Sequence, residues 1–187
     1  DIGSTMKAYA DAWLSTSSPL GTDSVTLSPY LGFESLRPAL DAATANQRGT
    51  FVLALTSNPE GKSVQHVGKA EDTGAVAKQV IAAATAENTA QTWERMGSCG
   101  LVVGATVGEA LKELAIDLST FNGSILSPGY GAQGASAEDL YRIFAGVESQ
   151  VLVNSSRGVL SAGPQPTDLA RAAQSARDDL VRARGTS

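Results

Sequence analysis

The stretch S-P-G-Y-G-A-Q-G at 127–134, taken together with S-S-R-G at 155–158, organises the reading of the whole chain. The first follows a short strand-like run, Ser124, Ile125 and Leu126, and the second follows Val151, Leu152 and Val153, with a helix-like segment over 136–145 between them. Three glycines and one proline in eight residues give a backbone that can turn tightly and approach a ligand closely. Exposed N–H groups in such a loop donate to anions, and Gln133 adds an amide donor. Arg157, at the end of the next strand, brings a permanent charge and a fork of donors suited to phosphate. Two successive strand-end loops of this kind form a candidate phosphate grip.

Outward from this pair, the chain alternates short apolar runs with helical periodicity. A helix is expected over 4–14, with Met6, Tyr9, Ala10 and Trp13 on one face. Strands are expected at 24–27, 50–55, 101–103, 124–126 and 150–153; the second lacks alternation, as a strand covered on both faces would. Between them, Phe33, Leu36, Leu40 and Ala43 mark one helix, 74–93 a longer one with Val76, Val80, Ala83 and Ala84 inward, and 107–115 another. Ser136 caps the next, with Asp139 three residues on, and Thr167 caps a last helix carrying Leu169, Ala172, Ala173, Ala176 and Leu180. One helix followed by five strand–helix units predicts an α/β fold with parallel strands.

The polar turns that could carry chemistry, S-P-Y-L-G, T-S-N-P-E-G, G-A-T and the two opening motifs, all follow strands. Both a (β/α)8 TIM barrel and an open doubly wound sheet place their sites there. A dinucleotide fold wants its G-x-G-x-x-G turn after the first strand, whereas G-Y-G-A-Q-G comes after the next-to-last. A phosphate site built by the last two strand-end loops is frequent in barrels, and the barrel is the expected architecture. A complete barrel runs to about 250 residues and eight strands. Residues 1–187 are therefore expected to be the carboxy-terminal two-thirds of one barrel domain, with the amino-terminal part upstream of Asp1. Alone, such a piece is expected to fold poorly, because its edge strands lack partners.

The charge balance of −5 and the absence of clustered Lys/Arg argue against nucleic-acid or acidic-membrane partners. No apolar run approaches the roughly 20 residues that span a bilayer. Cys99 is the single cysteine, so no internal disulfide can form, and a reducing, cytoplasmic setting is expected. With His66 the single histidine, read as a surface residue, a His/Cys metal site is excluded, although a carboxylate Mg²⁺ site is not.

D-I-G-S-T at 1–5 resembles the end of the D-x-K-x-x-D-I-x-x-T motif of orotidine 5′-phosphate decarboxylases. S-P-Y-L-G, T-S-N-P-E-G, V-V-G-A-T, S-P-G-Y-G-A-Q-G and R-G-V-L, in that order, are similar to the actinobacterial branch of that family. The resemblance implies a metal- and cofactor-free barrel enzyme, a homodimer with shared active sites, converting orotidine 5′-phosphate to UMP and CO₂. It implies that Asp1 reaches into the neighbouring subunit's site, accompanied by Ile2 and Thr5, and that Ser57 hydrogen-bonds the pyrimidine. Pro128 and Gln133 would belong to the loop closing over the substrate, with Gln133 on the phosphate. Arg157 would be the main phosphate cation. Ser156 stands where many relatives have glycine, and its backbone N–H could still serve. The family's catalytic lysine would lie three residues before Asp1, outside this sequence.

Plainer roles compete at each position. Ser57 could bend a turn, Arg157 could pair with Glu148, Tyr9 and Trp13 suit core or dimer packing, and Tyr30 suits packing or the dimer. The alternatives for the whole are another phosphosugar barrel, such as an epimerase or aldol-type synthase, and a non-catalytic nucleotide-binding module.

Overall fold

The computed structural model describes residues 3–68 and 74–184. Helix α1 (Gly3–Trp13) leads in and packs against α2 (Arg37–Ala45) through Met6 and Ala10, one helical turn apart and both buried. The other half of the expected face stays outside. Tyr9 is 48% exposed and stands beside the partly covered Trp13, the ring centroids 6.3 Å apart.

Five strands follow: β1 (Ser24–Leu27), β2 (Gly49–Leu55), β3 (Gly97–Val103), β4 (Gly123–Pro128) and β5 (Val151–Asn154). They form one sheet in the order β1-β2-β3-β4-β5, every neighbouring pair parallel. A doubly wound sheet reverses its order at a switch point. Adding every strand to the edge left by the last one is the winding of a (β/α)8 barrel, and the expected α/β architecture stands on that order. The connecting helices are α2, the one-turn α3 (Lys62–Gln65), α4 (Val76–Thr89), α5 (Gly108–Glu113), α6 (Ala137–Ile143), the one-turn α7 (Arg157–Leu160) and α8 (Pro166–Arg184).

The sheet has a covered face and an open one. Alternation along each strand sends Val52 and Ala54, Cys99, Leu101 and Val103, and Ile125 to the helix side, where they are buried with Leu36, Leu40, Ala77, Ile81 and Ala84. The register sets Thr26 beside Phe51, Leu53 beside Val102, and Leu126 beside Leu152. On that side Phe51, Leu53 and Leu126 are half-buried, Thr26 is exposed and Leu152 is 50% exposed. Among the described residues β2 is therefore covered more heavily on the side of Val52 and Ala54 than on that of Phe51 and Leu53, which are half-buried.

Several boundaries shift for identifiable reasons. Helix α4 stops at Thr89, because the Trp93 indole turns back and donates to the Asn88 carbonyl at 2.8 Å, satisfying one of the end carbonyls. Its buried side runs through Ala77, Val80, Ile81 and Ala84, with Val76 and Ala83 on the flank. β4 takes in Ser127 and Pro128, which the sequence assigned to the loop. Helix α8 begins at Pro166, a residue suited to a first turn, so Thr167 is inside the helix, and Ala173 is exposed. The cap at Ser136 is as expected. Its hydroxyl accepts from the Asp139 N–H at 3.1 Å while the Asp139 carboxylate accepts from the Ser136 N–H at 3.0 Å, which holds that carboxyl below its usual range.

The amino-terminal ends of the strands are held by a buried amide. Asn88, 1% exposed on α4, donates from Nδ2 to the Cys99 carbonyl at 2.8 Å and accepts the Cys99 N–H on Oδ1 at 3.1 Å. It stands where the β3–β4 register shifts between Gly97 and Leu101. Room for it comes from two glycines: a Cβ on Gly97 would fall 2.1 Å, and one on Gly123 2.6 Å, from its side chain. On the outside, Arg37 ties α2 to α4 through Glu87 at 2.8 Å and also pairs with Glu34, and the two carboxylates raise the guanidinium pKa further.

Candidate active site

The carboxyl ends of β2, β3 and β4 are laced into one rim. The N–H of Gly104, just past β3, donates to the Leu55 carbonyl at 2.9 Å, and the next N–H, of Ala105, donates to the Pro128 carbonyl at 2.7 Å. Across this rim the Ser57 hydroxyl donates to Gln133 Oε1 at 3.2 Å. The two residues are exposed, and their loops follow strands that do not pair with each other. Two of the residues singled out from sequence are thus brought together, and Pro128 supplies the backbone oxygen beside them.

The turn that carries Ser57 is fixed by a residue that sequence reasoning missed. Gln65 on α3 accepts the Thr56 N–H on Oε1 at 2.8 Å and donates from Nε2 to Thr56 Oγ1 at 2.7 Å. Thr56 Oγ1 donates in turn to Asn58 Oδ1 at 2.6 Å, and Asn58 Nδ2 donates to Glu60 at 3.2 Å. The backbone N–H of Glu60, with the Asn58 amide, lowers the pKa of that carboxyl. The available signal was generic: the amides of a polar turn need partners, and a glutamine at the end of the helical turn that follows can supply them. Gln65→Ala leaves the Thr56 N–H without its acceptor. Amide hydrogen exchange at Thr56 is expected to accelerate by about tenfold, with a stability loss of about 1 kcal/mol. Unchanged exchange would mean that the turn holds itself.

The loop after β4 is a closed turn. Gly129, Gly131 and Gly134 have φ of 118°, 69° and 98°, values that residues with a Cβ rarely adopt. Gly131 N–H donates to the Ala135 carbonyl at 2.9 Å, Gly134 N–H to Gly131 at 2.8 Å and Ala135 N–H to Gly129 at 3.3 Å. These three donors are used inside the loop, which corrects the expectation of a loop presenting its amides broadly. The N–H groups of Ala132 and Gln133, both on exposed residues, have no acceptor among the described residues and are donors the loop can offer. The root of the loop is anchored elsewhere. The Tyr130 hydroxyl donates to Asp179 Oδ2 on α8 at 2.7 Å, and burial together with that carboxylate pushes the phenol up to about 12.

Arg157 is the first residue of α7 rather than the end of a strand, with Ser156 before it as cap. Both are exposed, and the guanidinium has no partner among the described residues, Glu148 included. Register pairs Pro128 with Asn154, so the 129–134 loop and the Ser156–Arg157 segment leave adjacent strand ends. A cavity of about 470 Å³ lies between α5 and α6 and touches the rim only at Ala105, Thr106, Gly134 and Ala135. Its cations, Lys112 and Arg142, are already paired with Glu109 and Asp139, unlike Arg157 at the rim.

The remaining candidates are peripheral or outside view. Thr5 is exposed on the first turn of α1, and Asp1 and Ile2 lie outside the described residues. Tyr30 is 77% exposed, so it does not serve packing within the chain. His66, expected at the surface, is half-buried at the end of α3. Cys99 is fully buried, and burial pushes its thiol up to about 12, so it stays protonated and unreactive.

Sequentially wound parallel strands, with polar turns and the cation Arg157 at their carboxyl ends, are the arrangement of the (β/α)8 barrel class. The model of the Orotidine 5'-phosphate decarboxylase / HUMPS family matches residues 1–173. The chain belongs to that family. It is 49% identical over 177 residues to the orotidine 5′-phosphate decarboxylase of Streptomyces coelicolor, covering 92% of this chain and 60% of the relative. It is 50% identical over 173 residues to that of Salinispora arenicola, with the same shares covered. The crystal structure of a candidate orotidine 5′-phosphate decarboxylase from Streptomyces avermitilis superposes with a TM-score of 0.88 at 48% identity, covering 98% of this chain and 62% of the other. The Leishmania donovani OMP decarboxylase gives 0.69 at 26% identity, covering 100% and 66%. The chain thus spans about 60% of the length of the curated relatives it matches.

Proposed function

We propose that this chain forms the carboxy-terminal two-thirds of one barrel domain, and that the complete polypeptide is an orotidine 5′-phosphate decarboxylase. It releases CO₂ from C6 of orotidine 5′-phosphate and leaves UMP, without metal or cofactor, as a cytoplasmic homodimer with shared sites. The observation that carries the reading is the Ser57–Gln133 contact, which brings together on one rim the hydroxyl we assign to the pyrimidine and the amide we assign to the phosphate. The match of the family model and the relatives' names support it.

In this reading Ser57 turns its hydroxyl from Gln133 to the pyrimidine as the nucleotide enters. Gln133 is released to the phosphate, where the unpaired Arg157 and the Ser156 N–H complete the grip. Pro128 roots the closing loop. Asp1, Ile2 and Thr5 serve the neighbouring subunit's site. Loss of CO₂ leaves a carbanion at C6 that needs an ammonium beside it, the role of the lysine in the family's D-x-K-x-x-D-I motif. The phosphate is remote from C6, so Gln133 and Arg157 act by converting binding energy into loop closure and order.

The test is the ultraviolet change on converting orotidine 5′-phosphate to UMP, followed with the complete polypeptide in EDTA. Turnover in EDTA is expected. No turnover, or turnover restored only by a divalent cation, would reject the assignment, the second outcome pointing to a metal-dependent phosphosugar reaction.

A further inference from the structure

Among the described residues, the hydroxyl of Tyr130 is the side-chain group that ties the 129–134 loop to a helix outside its own strand–helix unit. It donates to Asp179 Oδ2 at 2.7 Å and lies 3.5 Å from the Ala176 carbonyl, both on α8. Asp179 also receives Arg182 at 3.3 Å on its other oxygen, so its two oxygens have separate partners. Tyr130 sits at the root of the loop, between buried Gly129 and exposed Gly131. Gln133 at the tip is exposed, and among the described residues its side chain is held by Ser57 alone. The loop therefore has a fixed end and a releasable end.

We propose that Tyr130 and Asp179 are positioning residues that hold the loop root against α8, so that ordering the loop over a phosphate requires movement of its tip alone. The inference rests on the reading of the loop as the phosphate grip. With the root released, a ligand would have to order the whole 129–134 segment, and that entropy would be subtracted from its affinity. The loss falls only on ligands that engage the loop. Nucleosides, lacking the phosphate, are indifferent to it.

The test uses the complete polypeptide with Tyr130→Phe, Asp179→Ala, Asp179→Asn and the control Arg182→Ala, reading UMP and uridine affinities together with amide exchange over 129–134. Tyr130→Phe and Asp179→Ala are expected to weaken UMP by about three- to tenfold, the range of one hydrogen bond, and to speed loop exchange while leaving uridine unchanged. Combining them adds nothing, because both remove the same bond. Asp179→Asn keeps an acceptor oxygen and is expected to retain UMP affinity, and Arg182→Ala to do so as well. With orotidine 5′-phosphate, KM should rise in step with the UMP loss. Equal losses for uridine and UMP, or unchanged exchange in Tyr130→Phe, would overturn the latch. If the wild-type protein binds no UMP, the phosphate reading fails, and the exchange measurement still judges the tie to α8 separately.

Discussion

Arg157→Ala in the complete polypeptide is expected to weaken UMP and orotidine 5′-phosphate by about thirty- to several-hundred-fold and to leave uridine binding unchanged. The size follows from what is removed. A guanidinium on a phosphate makes charge-assisted, often paired hydrogen bonds, together about 2–4 kcal/mol. In this protein the group has no competing carboxylate among the described residues, so its charge is wholly available to a ligand and its removal leaves no orphaned acid behind. Lysine at 157 would restore the charge but not the fork, and only partial recovery is expected. Calorimetry with the two ligands reads the result. Equal losses for UMP and uridine would make Arg157 a structural residue of α7.

The second large effect is on stability. Asn88→Ala removes the partners of two buried backbone groups at once, the N–H and the carbonyl of Cys99, and opens a cavity between α4 and β3. Each orphaned group costs about 1–3 kcal/mol, so a total loss of about 3–4 kcal/mol is expected in denaturant unfolding of the complete polypeptide. Asn88→Asp is expected to be no better. It sets a carboxylate against the Cys99 carbonyl in a site that is 1% exposed, and a buried unpaired charge is the costlier fault. A loss below about 1 kcal/mol for Asn88→Ala would show that water or a register change takes over the amide's bonds.

The winding was legible from order alone, because short apolar runs alternating with helical periods leave few ways to build a parallel sheet. The strand-end location of the site was legible for the same reason. What could not be read was which polar groups already had partners. The glycine pattern of the 129–134 loop marks backbone freedom, but not that Gly131, Gly134 and Ala135 turn their N–H groups back into the loop. Gln65, Tyr130 and Asn88 were missed because their partners, at Thr56, Asp179 and Cys99, are separated by turns and helices whose packing no local spacing encodes. Gln133 was chosen from the glycine-rich loop that carries it, and Ser57 through the family resemblance. Their contact is a property of the folded rim.

The strand order also says how the sheet can assemble. Among the described residues each strand pairs only with the strands before and after it in sequence, so within this sheet none has to wait for a partner made later than the next one. Ser24 and Gly49 stand 25 residues apart, Gly97 and Gly123 stand 26 apart, and Ile125 and Val151 stand 26 apart. Thr50 and Cys99 stand 49 apart. Closing that longer crossover costs about 0.6 kcal/mol more, the entropy of roughly one doubling in length. The helix inside it carries Asn88, which grips β3 at Cys99, so the slowest join to find brings its own clasp as the chain grows from its amino end.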